Sequence, residues 1–145
     1  MSEPQEILIA GGGPVGLVTG YALAKQGIPV TVFDENDELQ EDPRAATTHP
    51  ATLELLGQLG VIDQVIAQGL VSPIFRFWDR PTGEMVAEFD HALLKDDTPY
   101  PFVVQCEQFK LTHILLDLIA GLDNCEVKFS HRVTGLGVTV DSVSV

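Results

Sequence analysis

Apolar and polar positions along this chain change period several times, and each change marks an element. Glu6-Ile7-Leu8-Ile9-Ala10 is an apolar run that stops abruptly at glycine, the pattern of a fully buried parallel strand. From Pro14 to Gln26 the pattern turns helical, with Val15, Val18, Ala22 and Leu23 among its helix formers and Gly27 as the stop. Pro29 to Phe33 reads as a second strand, which Asp34 ends. The opening order is therefore strand, glycine turn, helix, strand.

Residues 35 to 48 are polar and irregular and predict a loop. Leu53, Leu56 and Leu59 then recur at helical spacing, Gly60 interrupts, and Val61 to Gln68 continues to Gly69, which predicts two short helices. Ile74–Asp79 and Glu84–Phe89 alternate around the turn residues Arg80-Pro81-Thr82-Gly83 and predict a β-hairpin. A loop through Asp96, Asp97, Pro99 and Pro101 leads to a helix over Glu107–Ala120, with Phe109, Ile114, Leu115 and Leu118 turned inward and Gly121 as terminator. Glu126 to Phe129 should rejoin the parallel sheet beside the second strand. Gly135, Gly137 and the alternating Val138, Val140, Val143 and Val145 suggest one more hairpin, and a chain that ends inside it reads as the front part of a larger polypeptide.

Composition narrows the function classes. With 45% hydrophobic and 20% charged residues, 145 residues suffice for a folded core without staples. The formal net charge of -13, from 21 acidic and 8 basic residues, repels a phosphate backbone and an anionic membrane surface, so neither nucleic acid nor membrane is expected as a partner. Cys106 and Cys125 form no C-x-x-C pair and have no His cluster at metal-ligand spacing, so buried or free thiols and no metal are expected. Glycines break the one long uncharged stretch, and the acidic Met1–Glu6 start is unlike a signal peptide, so a cytoplasmic location is the expectation.

Gly11-Gly12-Gly13-Pro14-Val15-Gly16 satisfies G-x-G-x-x-G. The first glycine permits a tight turn, the second a close approach of backbone to a pyrophosphate, and the third close helix–strand packing. Pro14 suits a first helical turn, whose dipole and free N–H groups favour an anion. The glycine pattern alone is weak, since many folds use such a turn for steric reasons. Its context strengthens it: a strand precedes, a helix follows, and Asp34 closes the next strand near the roughly 20-residue spacing of a ribose-binding carboxylate. Asp34 could also be one more solvated carboxylate in an acidic turn. Glu35 adds a second negative charge where a 2′-phosphate would sit, which disfavours NADP at this site and leaves FAD or NAD. No G-K-[ST] follows, so the loop is not a P-loop.

Beyond the glycine loop, Pro43-Arg44-Ala45, Thr52-Leu53-Glu54-Leu55-Leu56, Leu59-Gly60-Val61 and Tyr100-Pro101-Phe102 with Gln108, Leu111 and Ile114-Leu115 complete a wider pattern. Together these segments resemble the FAD-dependent aromatic hydroxylases, single-component flavoprotein monooxygenases related to p-hydroxybenzoate and phenol hydroxylases. The resemblance spans nearly the whole chain and implies an α/β fold: a Rossmann-like FAD-binding βαβ unit with a parallel sheet at 1–72 and 102–145, and an inserted hairpin of the substrate-domain sheet at 73–101. It implies that Arg44 lies along the pyrophosphate and ribityl chain, that Gln108 bonds the flavin's linker, that Val133 borders the adenine and that His49 falls near the flavin ring. As residues alone, Arg44 could be a solvated loop side chain, Gln108 a helix-capping residue and His49 a structural histidine. The hairpin aromatics Phe77 and Trp78 are expected to serve as core rather than as ligand contacts.

The implied chemistry is reduction of FAD by NAD(P)H, capture of oxygen and hydroxylation of a small electron-rich aromatic substrate, with no catalytic residue assigned in this chain. The family's further flavin-binding segments have no counterpart in these 145 residues, so the remaining part of the enzyme, or an oligomeric partner, is an expected associate. The competing reading is a non-catalytic dinucleotide-binding module or fragment. A flavin-dependent reductase or halogenase is a third, although the halogenase Trp-x-Trp-x-Ile-Pro pattern is absent.

Overall fold

A computed structural model describes residues 6–42 and 44–145. The acidic start at residues 1–5 and Pro43 of the Pro43-Arg44-Ala45 motif lie outside the described residues. The chain divides into two compact units, residues 1–42 with 111–145, and residues 43–110.

The first unit is built on a parallel sheet. Strand β1 (Ile7–Ala10) leads through helix α1 (Pro14–Ala24) to strand β2 (Val30–Phe33). Strand β8 (Cys125–Lys128) pairs on the far side of β2, giving the order β1-β2-β8, with Ile9 opposite Val32 and Val32 opposite Val127. β2 is the central strand, and Val30 and Val32 are almost wholly buried. α1 presents Gly16, Leu17, Gly20, Tyr21 and Ala24 to this core. The two glycines set the helix close to the sheet: a Cβ on Gly20 would stand 3.0 Å from Val32 Cγ2. Gly27, at φ +81°, turns the chain back toward β2 in a conformation that favours glycine.

Helix α4 (Gln108–Ile119) buries Thr112, Ile114, Leu115 and Ile119. Ile114 and Leu115 match the sequence expectation, whereas Phe109 and Leu118 are half-buried. The true stripe therefore runs one residue later at the C-terminal end. Strands β9 (Gly137–Val138) and β10 (Val143–Ser144) form the short antiparallel hairpin expected near the C-terminus.

The second unit holds the two expected helices, α2 (Pro50–Leu59) and α3 (Ile62–Gln68), with Gly60 between them at φ +74°. Leu53, Leu56, Val61 and Val65 form its core together with Val103 and Val104. These valines belong to a small antiparallel sheet that the sequence pattern did not reveal. Strand β7 (Val103–Gln105) lies between β3 (Thr47–Thr48) and β4 (Leu70–Ser72).

The predicted hairpin is present as β5 (Ile74–Trp78) and β6 (Met85–Asp90). Its turn is closed by the Asp79 carboxylate, which accepts from the backbone N–H and hydroxyl of Thr82 at 3.2 and 2.6 Å. The aromatic residues on it correct an expectation. Phe75 stacks on Phe89 with ring centroids 4.8 Å apart, but Phe77 and Trp78 remain 55% and 58% exposed, so they are not core of this chain. A two-stranded ribbon has no second layer of its own to cover its faces.

Candidate dinucleotide-binding site

The glycine loop connects the end of β1 to the start of α1, and each glycine meets a different constraint. Gly11 adopts φ +107°, where an L side chain is strained, and its N–H donates to the Phe33 carbonyl at 2.7 Å. A Cβ on Gly16 would fall 1.9 Å from the Gly11 carbonyl oxygen, so the helix can begin this close to the turn only with hydrogen at that position. A Cβ on Gly13 would meet nothing within 4 Å. Its place is open space at the mouth of the loop.

Gly13 is the N-cap residue of α1 and Pro14 follows it inside the first turn, with no side chain capping the helix. No acidic residue occupies that turn either. The positive end of the helix dipole and the free first-turn N–H groups therefore border an open surface hollow lined by Ile9, Gly11, Gly13, Pro14, Val15 and Thr19. Val15, 79% exposed, lies on this rim.

Asp34, just past β2, reaches back to the loop. Its Oδ2 accepts from the Gly12 N–H at 2.6 Å, and its Oδ1 accepts from both the backbone N–H and the side-chain Nδ2 of Asn36, at 2.9 and 2.8 Å. Its own carbonyl accepts from the His131 N–H at 2.8 Å. Glu35 pairs with Arg132, Nε to Oε2 at 3.3 Å, with both side chains more than half exposed. The half-buried Val133 follows directly. The first unit thus gathers the glycine loop, Asp34, Glu35 and the segment carrying Val133 around the ends of β1 and β2.

Arg44 and Gln108 belong to the second unit, where the backbone next to Arg44 is bonded to the start of α4. The Gln108 N–H, at the first residue of α4, donates to the Ala45 carbonyl at 2.8 Å, and the Cys106 N–H donates to the Ala46 carbonyl at 2.7 Å. The Lys110 ammonium bonds the Glu107 carboxylate at 2.6 Å and the Gln68 carbonyl at 3.2 Å, which fixes the start of α4 against the end of α3. That bond from Lys110 holds the Glu107 carboxyl below its usual range. His49 is exposed at the N-cap of α2 and makes no capping bond there.

Three residues of this arrangement carried no role in the sequence pattern: Asn36, Ser130, whose N–H donates to the Asn36 carbonyl at 2.7 Å, and Arg132. An Asp-x-Asn step after a strand is a turn signal that could have drawn attention to Asn36. The other two come from a segment remote in sequence.

Comparison with known proteins decides what this geometry belongs to. A family model described as FAD binding domain matches residues 5–145. The chain belongs to that FAD-binding domain family. Over its full length it is 37% identical to 6-hydroxy-3-succinoylpyridine 3-monooxygenase HspB of Pseudomonas putida, of which it spans 37%. It is 31% identical over 88% of its length to para-nitrophenol 4-monooxygenase of a Pseudomonas species, spanning 31% of that protein. The crystal structure of p-nitrophenol 4-monooxygenase PnpA from Pseudomonas putida superposes with a TM-score of 0.91 at 29% identity, over 99% of this chain and 36% of that one. Aklavinone-11 hydroxylase, solved with FAD and aklavinone, superposes with a TM-score of 0.81 at 27% identity, over 97% of this chain and 28% of that one. The FAD-binding chain therefore spans about a third of the length of the relatives it matches.

The loop fits the cofactor of its family. An open place at Gly13 that a side chain would fill, beside an uncapped helix start, suits a pyrophosphate in a chain with few cations. Among the described residues no metal-binding cluster is found, and no helix is long and apolar enough to cross a membrane.

Proposed function

We propose that this chain is the FAD-binding part of an NAD(P)H-dependent flavoprotein monooxygenase that hydroxylates a small, phenol-like aromatic substrate in the cytoplasm. The observation that carries the reading is the Gly13 opening at the start of α1, with the Asp34 carboxylate bonded to the loop beside it. Named relatives act on hydroxylated or nitrated aromatic rings, which supports the substrate class.

In this reading the Gly13–Gly16 backbone holds the pyrophosphate through the N–H groups that α1 leaves unpaired, and Pro14 stiffens that first turn. Asp34 accepts from the adenosine ribose, Glu35 keeps a 2′-phosphate away, and Val133 borders the adenine. Arg44 supplies a cation along the pyrophosphate and ribityl chain, where its fixed fork is worth more than a mobile ammonium. Gln108, positioned through its backbone bond to Ala45, donates to the flavin's linker. Bound FAD would supply the redox chemistry with oxygen, while the protein binds, orients and shields. We assign residues 1–72 and 102–145 to cofactor binding and the 73–101 hairpin to the substrate domain, with the rest of the enzyme completing the pocket.

The test is FAD titration of the full-length polypeptide, followed by absorbance and flavin fluorescence. Wild-type protein should take up FAD. Gly13→Val, which drives a side chain into the open place, should weaken binding about tenfold to a hundredfold, equivalent to a clash of roughly 1–3 kcal/mol. A folded wild-type protein that takes up no FAD would overturn the reading.

A further inference from the structure

The bonds around Asp34 go beyond what a ribose-binding carboxylate needs. An ionised carboxylate offers about four acceptor directions, two on each oxygen. On Asp34, Oδ1 accepts from the N–H and from the Nδ2 of Asn36, and Oδ2 accepts from Gly12. Oδ1 is full. Among the described residues' bonds, one direction, on Oδ2, is left for a further donor.

Asn36 is itself held in place. Its carbonyl accepts from the Ser130 N–H at 2.7 Å, and Ser130 adopts φ +58°, a left-handed conformation uncommon for serine. The His131 N–H bonds the Asp34 carbonyl beside it. The 34–36 turn is thus tied to the 130–131 turn by two backbone bonds, and the Asn36 side chain extends that anchoring to the Asp34 carboxylate.

We propose that Asn36 is a positioning residue for nucleotide recognition: it saturates Oδ1 of Asp34 and aims the single remaining acceptor of Oδ2 at one hydroxyl of the adenosine ribose. This rests on the FAD reading above. A carboxylate free to turn could grip the 2′- and 3′-hydroxyls together. The clamped one engages one of them, and does so without losing rotational freedom on binding. Loss of the Asn36 amide frees one acceptor direction on Oδ1 and loosens the carboxylate, which the backbone N–H groups of Asn36 and Gly12 then hold by one bond to each oxygen.

The experiment is a double-mutant cycle in the full-length protein, reading FAD dissociation constants for wild type, Asn36→Ala, Asp34→Ala and the double variant, with folding checked by circular dichroism. Asn36→Ala should weaken FAD about three- to tenfold, the worth of one ordinary net hydrogen bond, and should add nothing in the Asp34→Ala background. Asn36→Leu, close to asparagine in size but without a side-chain donor, should behave like Asn36→Ala and serves if the alanine variant does not fold. With ADP as probe, wild type should lose affinity for only one of the 2′-deoxy and 3′-deoxy analogues, and that contrast should narrow in Asn36→Ala. Equal weakening by Asn36→Ala with and without Asp34 would show a purely turn-building role and overturn the proposal, as would an unchanged affinity. If Asp34→Ala leaves FAD affinity untouched, the ribose contact itself fails and the proposal fails with it, whereas FAD uptake by wild type would still stand.

Discussion

At the scale of single residues, the glycine loop separates two uses of the same amino acid. Gly16 is required by the fold, because a Cβ there would overlap the Gly11 carbonyl oxygen at 1.9 Å, while Gly13 has open space around the same position. Gly16→Ala should therefore cost about 3 kcal/mol of unfolding free energy in urea denaturation, at the upper end of overpacking effects. Gly13→Val, in extended backbone at φ -72° but at the N-cap of α1, where valine is a poorer cap than glycine, should cost no more than about 1 kcal/mol while weakening FAD binding. A stability loss of equal size in both would mean the loop is merely structural. Ser130, at φ +58°, gives a further test. Ser130→Val places a β-branched residue in the left-handed region and should lower stability by about 1–2 kcal/mol, read as a lower thermal midpoint. The spacing of the glycines was legible in the sequence because steric need dictates residue type at each position. Asn36 was not, because its bonds depend on how residues 34–36 turn and on a partner segment near residue 130.

At the scale of elements, legibility followed length and period. The helices α1, α2, α3 and α4 and the 74–90 hairpin were readable because each has several apolar positions in register or an unmistakable turn. Strands β3, β4 and β7 have two or three residues each, too few to show alternation, and their pairing joins Thr48, Val71 and Val104 from distant parts of the chain. The run Val103-Val104 was the only hint, and the burial of both explains why it exists. Of the two cysteines, Cys106 lies just after β7 and Cys125 at the start of β8. Burial pushes both thiols above their ordinary value; for Cys106 the nearby Lys110 offsets part of that effect. Because the folded value is the higher one, the thiols' contribution to stability is fully present below the ordinary thiol range and is lost as pH rises through the folded value. At pH 8, iodoacetamide should modify both thiols slowly in the native protein and rapidly in urea. The native rate should rise at more alkaline pH. Rapid native modification of Cys106 at pH 8 would contradict its burial.

At the scale of the whole molecule, charge sets a constraint that no single contact reveals. A chain with a formal net charge of -13 is proposed to bind a cofactor whose pyrophosphate is itself anionic, so the long-range field opposes the encounter even where the site is favourable. The attractive groups at the glycine loop are backbone N–H donors and a helix end, which act within a turn of the helix and depend little on salt once the anion is seated. The opposing field extends over several ångströms of solvent and is screened with a Debye length of about 10 Å at 0.1 M ionic strength. Added salt should thus remove more repulsion from the approach than attraction from the bound state. The association rate of FAD with this chain, followed by stopped-flow flavin fluorescence, should rise severalfold from about 10 to 150 mM salt, while the dissociation rate changes little. A nucleotide site that relied on a cluster of lysines and arginines would show the reverse. An association rate that falls with salt would mean that Arg44 and its neighbours, rather than the backbone at the start of α1, dominate the capture of the cofactor.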